Sequence, residues 1–210
     1  MRVVALLAMT ALVGMATAGC GGGDAPMPDA AICTLRADPL QCWPDPAHVP
    51  QGNATLGTGR GAFEQMPDTL TLEYGPQGGY DLVANVRMSG FDPGNIDMLL
   101  DPGNPRTRIR AFFADSNIPL NFSAVCPFRQ AYKASQSDDY DYEFPEGVPV
   151  VFETCWRSNH LLGARVRIEL ELMDDCGGYA TDVKTVTLAP PTGPYPIEND
   201  APGCMHIADP

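Results

Sequence analysis

Basic residues are scarce in this chain: 13 Lys and Arg stand against 26 Asp and Glu, for a formal net charge of −13. A surface so negative argues against binding nucleic-acid phosphates or anionic membrane surfaces. Histidine is scarcer still, with only His48, His160 and His206, and no two of them lie at metal-ligand spacing. The chain has no Gly-x-Ser-x-Gly elbow, no His-Glu-x-x-His helix, no phosphate-binding loop and no Cys-x-x-Cys pair. Each of those motifs would have placed a nucleophile, a zinc ion or a phosphate. Long helical periodicity and internal repeats are missing too. Apolar runs are short, and the longest, Val3 to Val13, is well under the roughly 20 residues that a membrane-spanning helix needs.

That run has a different logic. Arg2 precedes it, and the small residues Ala16-Thr17-Ala18-Gly19-Cys20 close it, the layout of an export signal. The stretch admits two cuts. One after Ala18 would release a secreted protein. One after Gly19 would leave Cys20 as an acylated N-terminus. The seven cysteines, 20, 33, 42, 126, 155, 176 and 204, favour the second, because lipidation of Cys20 leaves an even six to pair in an oxidising compartment. Thr17 stands where a lipobox usually carries Leu. The expectation is a lipoprotein with palmitate-type chains on Cys20. It is exported to the cell envelope and held at a membrane, with the outer membrane favoured over free secretion. Residues 1–19 are then a signal peptide. Residues 20–32, rich in Gly, Pro and Ala, are a flexible tether.

Gly and Pro number 21 each, with hydrophobic content at 44%. That combination fits a turn-rich all-β domain rather than a disordered chain. Residues 33–59 read as an irregular Cys- and Pro-rich segment. Leu70 to Tyr74 alternates apolar and polar, and Gly75-Pro76-Gln77-Gly78-Gly79 is a turn. Tyr80, Leu82, Ala84, Val86 and Met88 then share one strand face, giving a hairpin with a five-residue connection. Strands are also predicted over Arg106–Ala114, Ile118–Phe122, Asp138–Phe144 and Val148–Cys155. Pro149 sets the last at an edge or a strand start. Arg165–Met173 is the clearest, with Val166, Ile168, Leu170 and Leu172 inward, and Val183–Leu188 is its partner. Some eight short strands predict an antiparallel immunoglobulin-like β-sandwich over residues 60–189. Residues 190–210 are an irregular tail, and disulfides tether both ends. The expected pairs are Cys33–Cys42, Cys126–Cys155 and Cys176–Cys204, each contributing about 2–4 kcal/mol.

The sequence assigns no catalytic residue. Its best binding candidate is the acidic stretch from Asp138 to Glu143, where Asp139, Asp141 and Glu143 would point one way on a strand. Hard carboxylate oxygens suit Ca²⁺, but the stretch lacks the EF-hand glycine and its distant Glu. A solvated acidic edge that discourages sheet-to-sheet aggregation explains the same residues. Tyr80, Tyr140, Tyr142 and Trp156 form a conceivable sugar platform, though aromatics at alternate strand positions more often pack in a core. Asn53 and Asn121 open glycosylation sequons.

Leu56-Gly57-Thr58-Gly59, Phe63 and Gly75-Pro76-Gln77-Gly78-Gly79-Tyr80, with the later Val-x-Ile-x-Leu strand, resemble a set of uncharacterised bacterial lipoproteins of the myxobacterial type. The likeness spans roughly residues 55–190 and implies export and a β fold, without an activity. The combined expectation is a lipid-anchored binding or structural module, whose membrane partner is its own anchor. It needs no cofactor, with a weak Ca²⁺ at Asp139, Asp141 and Glu143 as the lesser alternative, and binds no nucleic acid, and the sequence leaves open whether it meets protein or carbohydrate. The alternative is a secreted hydrolase with a dispersed site.

Overall fold

The computed structural model describes residues 52–76, 78–98, 101–121, 127–175 and 178–199. In chain order its strands are β1 (Asn53–Thr58), β2 (Glu64–Gln65), β3 (Thr69–Thr71), β4 (Glu73–Tyr74), β5 (Tyr80–Ser89), β6 (Arg106–Phe113), β7 (Phe128–Arg129), β8 (Lys133–Ala134), β9 (Tyr142–Glu143), β10 (Val148–Val151), β11 (Arg165–Met173) and β12 (Tyr179–Ala189). A four-residue helix, α1 (Ser158–Leu161), is the only helix among the described residues. No described helix is long and apolar enough to cross a membrane.

Two sheets form, each around one long alternating strand. The first runs β2-β1-β5-β9-β8, and β4 and β10 also pair with β5. The second runs β3-β12-β11-β6-β7. All pairs are antiparallel except β12 with β3, so the second sheet is mixed rather than purely antiparallel. The period-2 faces follow the sequence. Tyr80, Leu82, Ala84, Val86 and Met88 of β5 are buried, as are Val166, Ile168, Leu170 and Leu172 of β11. Together with Leu56, Ile109, Ala111, Phe152 and Trp156 they form one hydrophobic cluster. Fully burying each such side chain contributes about 1.5–3 kcal/mol.

The segment Thr69–Tyr74 joins the sheets. Its alternation reads as one strand, but the hydrogen-bond partner changes at Leu72. Thr69–Thr71 runs parallel to β12, whereas Glu73 and Tyr74 pair with Asp81 and Tyr80 of β5. Leu72 is buried at the switch and its N–H donates to the Ala189 carbonyl at 3.0 Å. Strands that change sheets in this way make the corners of packed sheets. Asp182 of β12 is a second cross-sheet link, accepting from the Leu56 N–H at 2.8 Å and the Thr55 hydroxyl at 3.3 Å.

Several expectations change. Residues 53–58, read as irregular, form β1, because the exposed edge of β5 offers a ladder that outweighs the weak local signal of a Gly-containing segment. Ile118–Asn121 makes a single bridge, Phe112 with Pro119, after a turn at Asn117 (φ 60°). Only Tyr142 and Glu143 of the acidic stretch are in a strand. β12 starts four residues earlier than predicted, in register with all of β11. Val148–Val151 pairs with β5 alone and Pro149 is exposed, the edge placement its missing N–H requires. Residues 190–199 are irregular but docked: the Tyr80 hydroxyl donates to the Pro196 carbonyl, and the Glu198 N–H donates to the Ser158 hydroxyl oxygen.

Candidate functional site

The first sheet has an interruption. On one edge of β5, the ladder with β1 ends at Gly57 opposite Asn85, and the ladder with β4 begins at Glu73 opposite Asp81. Between them β1 peels away and turns back as β2. Gly59 makes the turn with φ +100°, and a Cβ there would lie 2.1 Å from the Ala62 carbonyl oxygen. At Gly57 a Cβ would meet the Phe63 ring at 2.4 Å, so the missing side chain is what lets Phe63 fold over the strand. The turn is pinned from three sides. Asn85, fully buried, donates to the Gly59 carbonyl at 3.0 Å. The Gly147 N–H donates to the Arg60 carbonyl at 2.8 Å. The Arg87 guanidinium lies 4.4 Å from the Phe63 ring centroid.

This detour leaves a cleft of about 280 Å³, lined by Thr58 to Arg60, Glu64, Pro67, Thr69 to Thr71, Glu73 and Val83. The Thr58 hydroxyl donates to the Val83 carbonyl at 2.8 Å, satisfying one backbone group that the broken ladder exposes. At the mouth, the Arg60 guanidinium grips both carboxylate oxygens of Glu73. These two side chains are well exposed, at 60% and 40%, so the pair is a weak latch of about 0–1 kcal/mol.

Glu73 sits directly opposite Asp81, where cross-strand Cβ atoms lie about 4.5–5.5 Å apart and like charges repel. Asp81 differs from Glu73 in its surroundings. Its Oδ1 is buried without a hydrogen-bond partner. Burial pushes the Asp81 carboxyl above its ordinary value, and the Glu73 charge adds to that, while Arg60 opposes it. The two carboxylates thus differ in surroundings: Glu73 is held by Arg60, while burial and the Glu73 charge favour the protonated form of Asp81.

The residues nominated by sequence lie elsewhere. Asp139 and Asp141 are exposed, and Asp141 accepts from the Gly90 N–H at 3.2 Å. Glu143 is buried and already neutralised, by Arg87 at 2.9 Å and Lys133 at 3.5 Å, with the Ser135 hydroxyl at 3.3 Å. Among the described residues no three His, Cys, Asp or Glu side chains come together to hold a metal ion. Tyr80 and Trp156 are core residues, at 1% and 2% exposure, so the four aromatics do not form one exposed platform. Asn121 is buried with its amide bonded to the Ala111 N–H and the Ile109 carbonyl, which leaves it unavailable to a glycan. His160 serves its own helix, with Nδ1 accepting from the Arg157 N–H at 3.1 Å. Cys155 is the one cysteine among the described residues and is disulfide-bonded. Cys20, Cys33, Cys42, Cys126, Cys176 and Cys204 lie outside them, as do His48 and His206.

The sequence did carry one signal for Glu73 and Asp81. A five-residue turn over 75–79 pairs Tyr74 with Tyr80 and therefore Glu73 with Asp81. Arg60 had none, because its position depends on the turn folding back over β5. Comparison with protein families, curated proteins and solved structures finds no match to this chain.

Proposed function

We propose that this chain is an exported, lipid-anchored binding module of the cell envelope that takes its ligand in the cleft beside Arg60 and Glu73. The observation that carries the reading is the interrupted edge of β5. A sheet that could have continued its ladder instead diverts residues 58–65 and encloses polar and apolar walls together, the mixed lining that ligand sites use. Two sheets sharing one core, with a strand that changes sheets at Leu72, support reading the domain as an immunoglobulin-like sandwich. The even count of cysteines left after Cys20 supports the anchor. In this reading Cys155 pairs with Cys126, and the pairs Cys33–Cys42 and Cys176–Cys204 fasten the two ends.

Two measurements test the proposal. Intact mass of the membrane-fraction protein is expected to show acylated Cys20 as the N-terminus; an unacylated chain beginning at Gly19 overturns the anchor. Amide chemical-shift mapping with a small-molecule panel is expected to move resonances around Arg60, Glu73 and Val83; responses confined to other surfaces overturn the site.

A hydrolase reading draws on the same pair of carboxylates. Asp81, whose burial favours the protonated form, would donate to a leaving group while Glu73 acts from the neighbouring strand, the division of labour found in carboxylate-pair glycosidases. Turnover of aryl glycosides that is lost in both Asp81→Asn and Glu73→Gln would favour it over simple binding.

A further inference from the structure

We infer that Tyr80, Arg157, Ser158 and Asn159 form a groove for an extended, proline-rich peptide carrying an acidic side chain, with the chain's own residues 195–199 as its resident occupant. None of these residues lines the cleft. After β12 the chain reads Pro190-Pro191-Thr192-Gly193-Pro194-Tyr195-Pro196-Ile197-Glu198-Asn199. Its prolines fix φ near −65°, so the segment is extended beforehand and loses little entropy on docking. It joins no ladder, yet side chains remote in sequence read its main chain. The Tyr80 hydroxyl donates to the Pro196 carbonyl at 3.1 Å, and the Glu198 N–H donates to the Ser158 hydroxyl oxygen at 2.8 Å. The Asn159 amide donates to the Asn199 carbonyl at 3.3 Å. Pro196 and Glu198 are two apart, the spacing at which an extended chain presents the same side. Tyr80 and Ser158 are each 1% exposed, so both hydroxyls meet the peptide from buried positions. Burial raises the Tyr80 pKa, which keeps the proton that its bond donates. Tyr195 packs on the core, and Glu198 lies 3.7 Å from the Arg157 guanidinium, so charge is complementary across the contact. Main-chain hydrogen bonds beside aromatic rings are how proline-rich segments are recognised.

The resident fits incompletely. Glu198 Oε2 is buried without a hydrogen bond, and Ile197 is 73% exposed to water. Trp156, next to Arg157 in the chain and 2% exposed, has an indole N–H with no hydrogen-bond partner among the described residues. Buried polar atoms left unpaired cost free energy. A segment of the same kind that satisfies them, supplied by another molecule, can therefore displace the resident. It must first exceed the resident's effective concentration, on the order of millimolar for a short link. Residues 195–199 then act as a strap that lifts to admit the partner.

The test uses the full chain carrying Tyr195→Ala, which loosens the resident and leaves the groove intact. It is titrated with a synthetic peptide of residues 190–199 and followed by amide chemical shifts. Shifts are expected at Tyr80 and residues 157–161, at a peptide concentration about tenfold lower than the parent chain requires, because there the resident competes. Adding Tyr80→Phe should weaken binding about three- to tenfold, the loss of one neutral hydrogen bond. A peptide with Lys in place of Glu198 should bind less tightly than the parent peptide. If the folded Tyr195→Ala chain shows no shift at these residues, or Tyr80→Phe leaves the affinity unchanged, residues 195–199 only close the end of the domain and the inference fails. If melting curves show that Tyr195→Ala is unfolded, hydrogen exchange of the parent chain decides. The Glu198 amide is expected to exchange faster than the amides of β11. Exchange of Glu198 only at the rate of β11 means that the segment never lifts by itself, which overturns the inference.

Discussion

The two sheets begin from the same pattern and end differently. β11 and β5 are both long strands with one apolar face in the core and a second face that carries their charged residues. On β11 the polar face is answered in register: Glu169 lies opposite Arg110 and Glu171 opposite Arg108 of β6, and each pair makes an ion pair. On β5 the polar face is covered by the chain's own turn, and the residue opposite Asp81 is another carboxylate. Where the ladder is complete, charge is matched strand by strand. Where the ladder breaks, a cleft opens and a buried acceptor goes unmatched. Real proteins breach local consistency mainly where function requires it, so the broken sheet is where a ligand is sought.

Substitutions can break this contrast or sharpen it. The largest effects should be equal across the sheets, since they share a core: Leu82→Ala and Leu170→Ala should each cost about 2–5 kcal/mol in chemical denaturation, through one cooperative transition. Two separate transitions would mean two independent units. Next, Gly57→Ala should cost about 1–3 kcal/mol by driving a methyl into the Phe63 ring, and should open the turn over β5. An unchanged melting temperature would show that Phe63 does not hold the turn.

A smaller effect separates the carboxylates. The Asp81 pKa is raised in the folded state, so the folded chain binds more protons than the unfolded one, and stability falls as pH climbs from 3.8, the ordinary carboxyl value, through the raised one. Asp81→Asn removes that fall. It should melt higher than the parent at pH 7 and lose this advantage below the ordinary carboxyl range; a pH-independent difference would point to a steric cause. The smallest effects are the side-chain ion pairs. A double-mutant cycle on Arg108 and Glu171 should give about 0.2–1 kcal/mol, and one on the more exposed Arg60 and Glu73 should give less. Equal coupling would erase the distinction between matched ladder and loose latch.

Much of the second sheet was legible because its information is local. Arg165–Met173 alternates without a break, and Arg106–Ala114 mirrors it with opposite charges. The β4–β5 hairpin was equally readable from its glycine-rich turn. The rest depended on pairing at a distance. Nothing within Asn53–Thr58 marks a strand until β5 offers an edge, and Leu70–Tyr74 alternates smoothly across a point where its partner changes. The site was hidden for the same reason. Asp139, Asp141 and Glu143 attracted notice as a dense acidic run, yet Arg87 and Lys133, remote in sequence, had already claimed Glu143. Arg60, Glu73 and Asp81 are ordinary residues in the chain, and only the detour of residues 58–65 brings Arg60 onto Glu73 beside the cleft.

The central claim is that ligand recognition belongs to the broken sheet rather than the complete one. Amide chemical-shift mapping of the full chain titrated with the small-molecule panel tests it most directly. The account predicts perturbations clustered at Thr58–Arg60, Thr69–Glu73 and Asp81–Val83, with the β6–β11–β12 face unmoved. Perturbations centred on Arg108, Arg110 and Arg167, with the cleft silent, would contradict it.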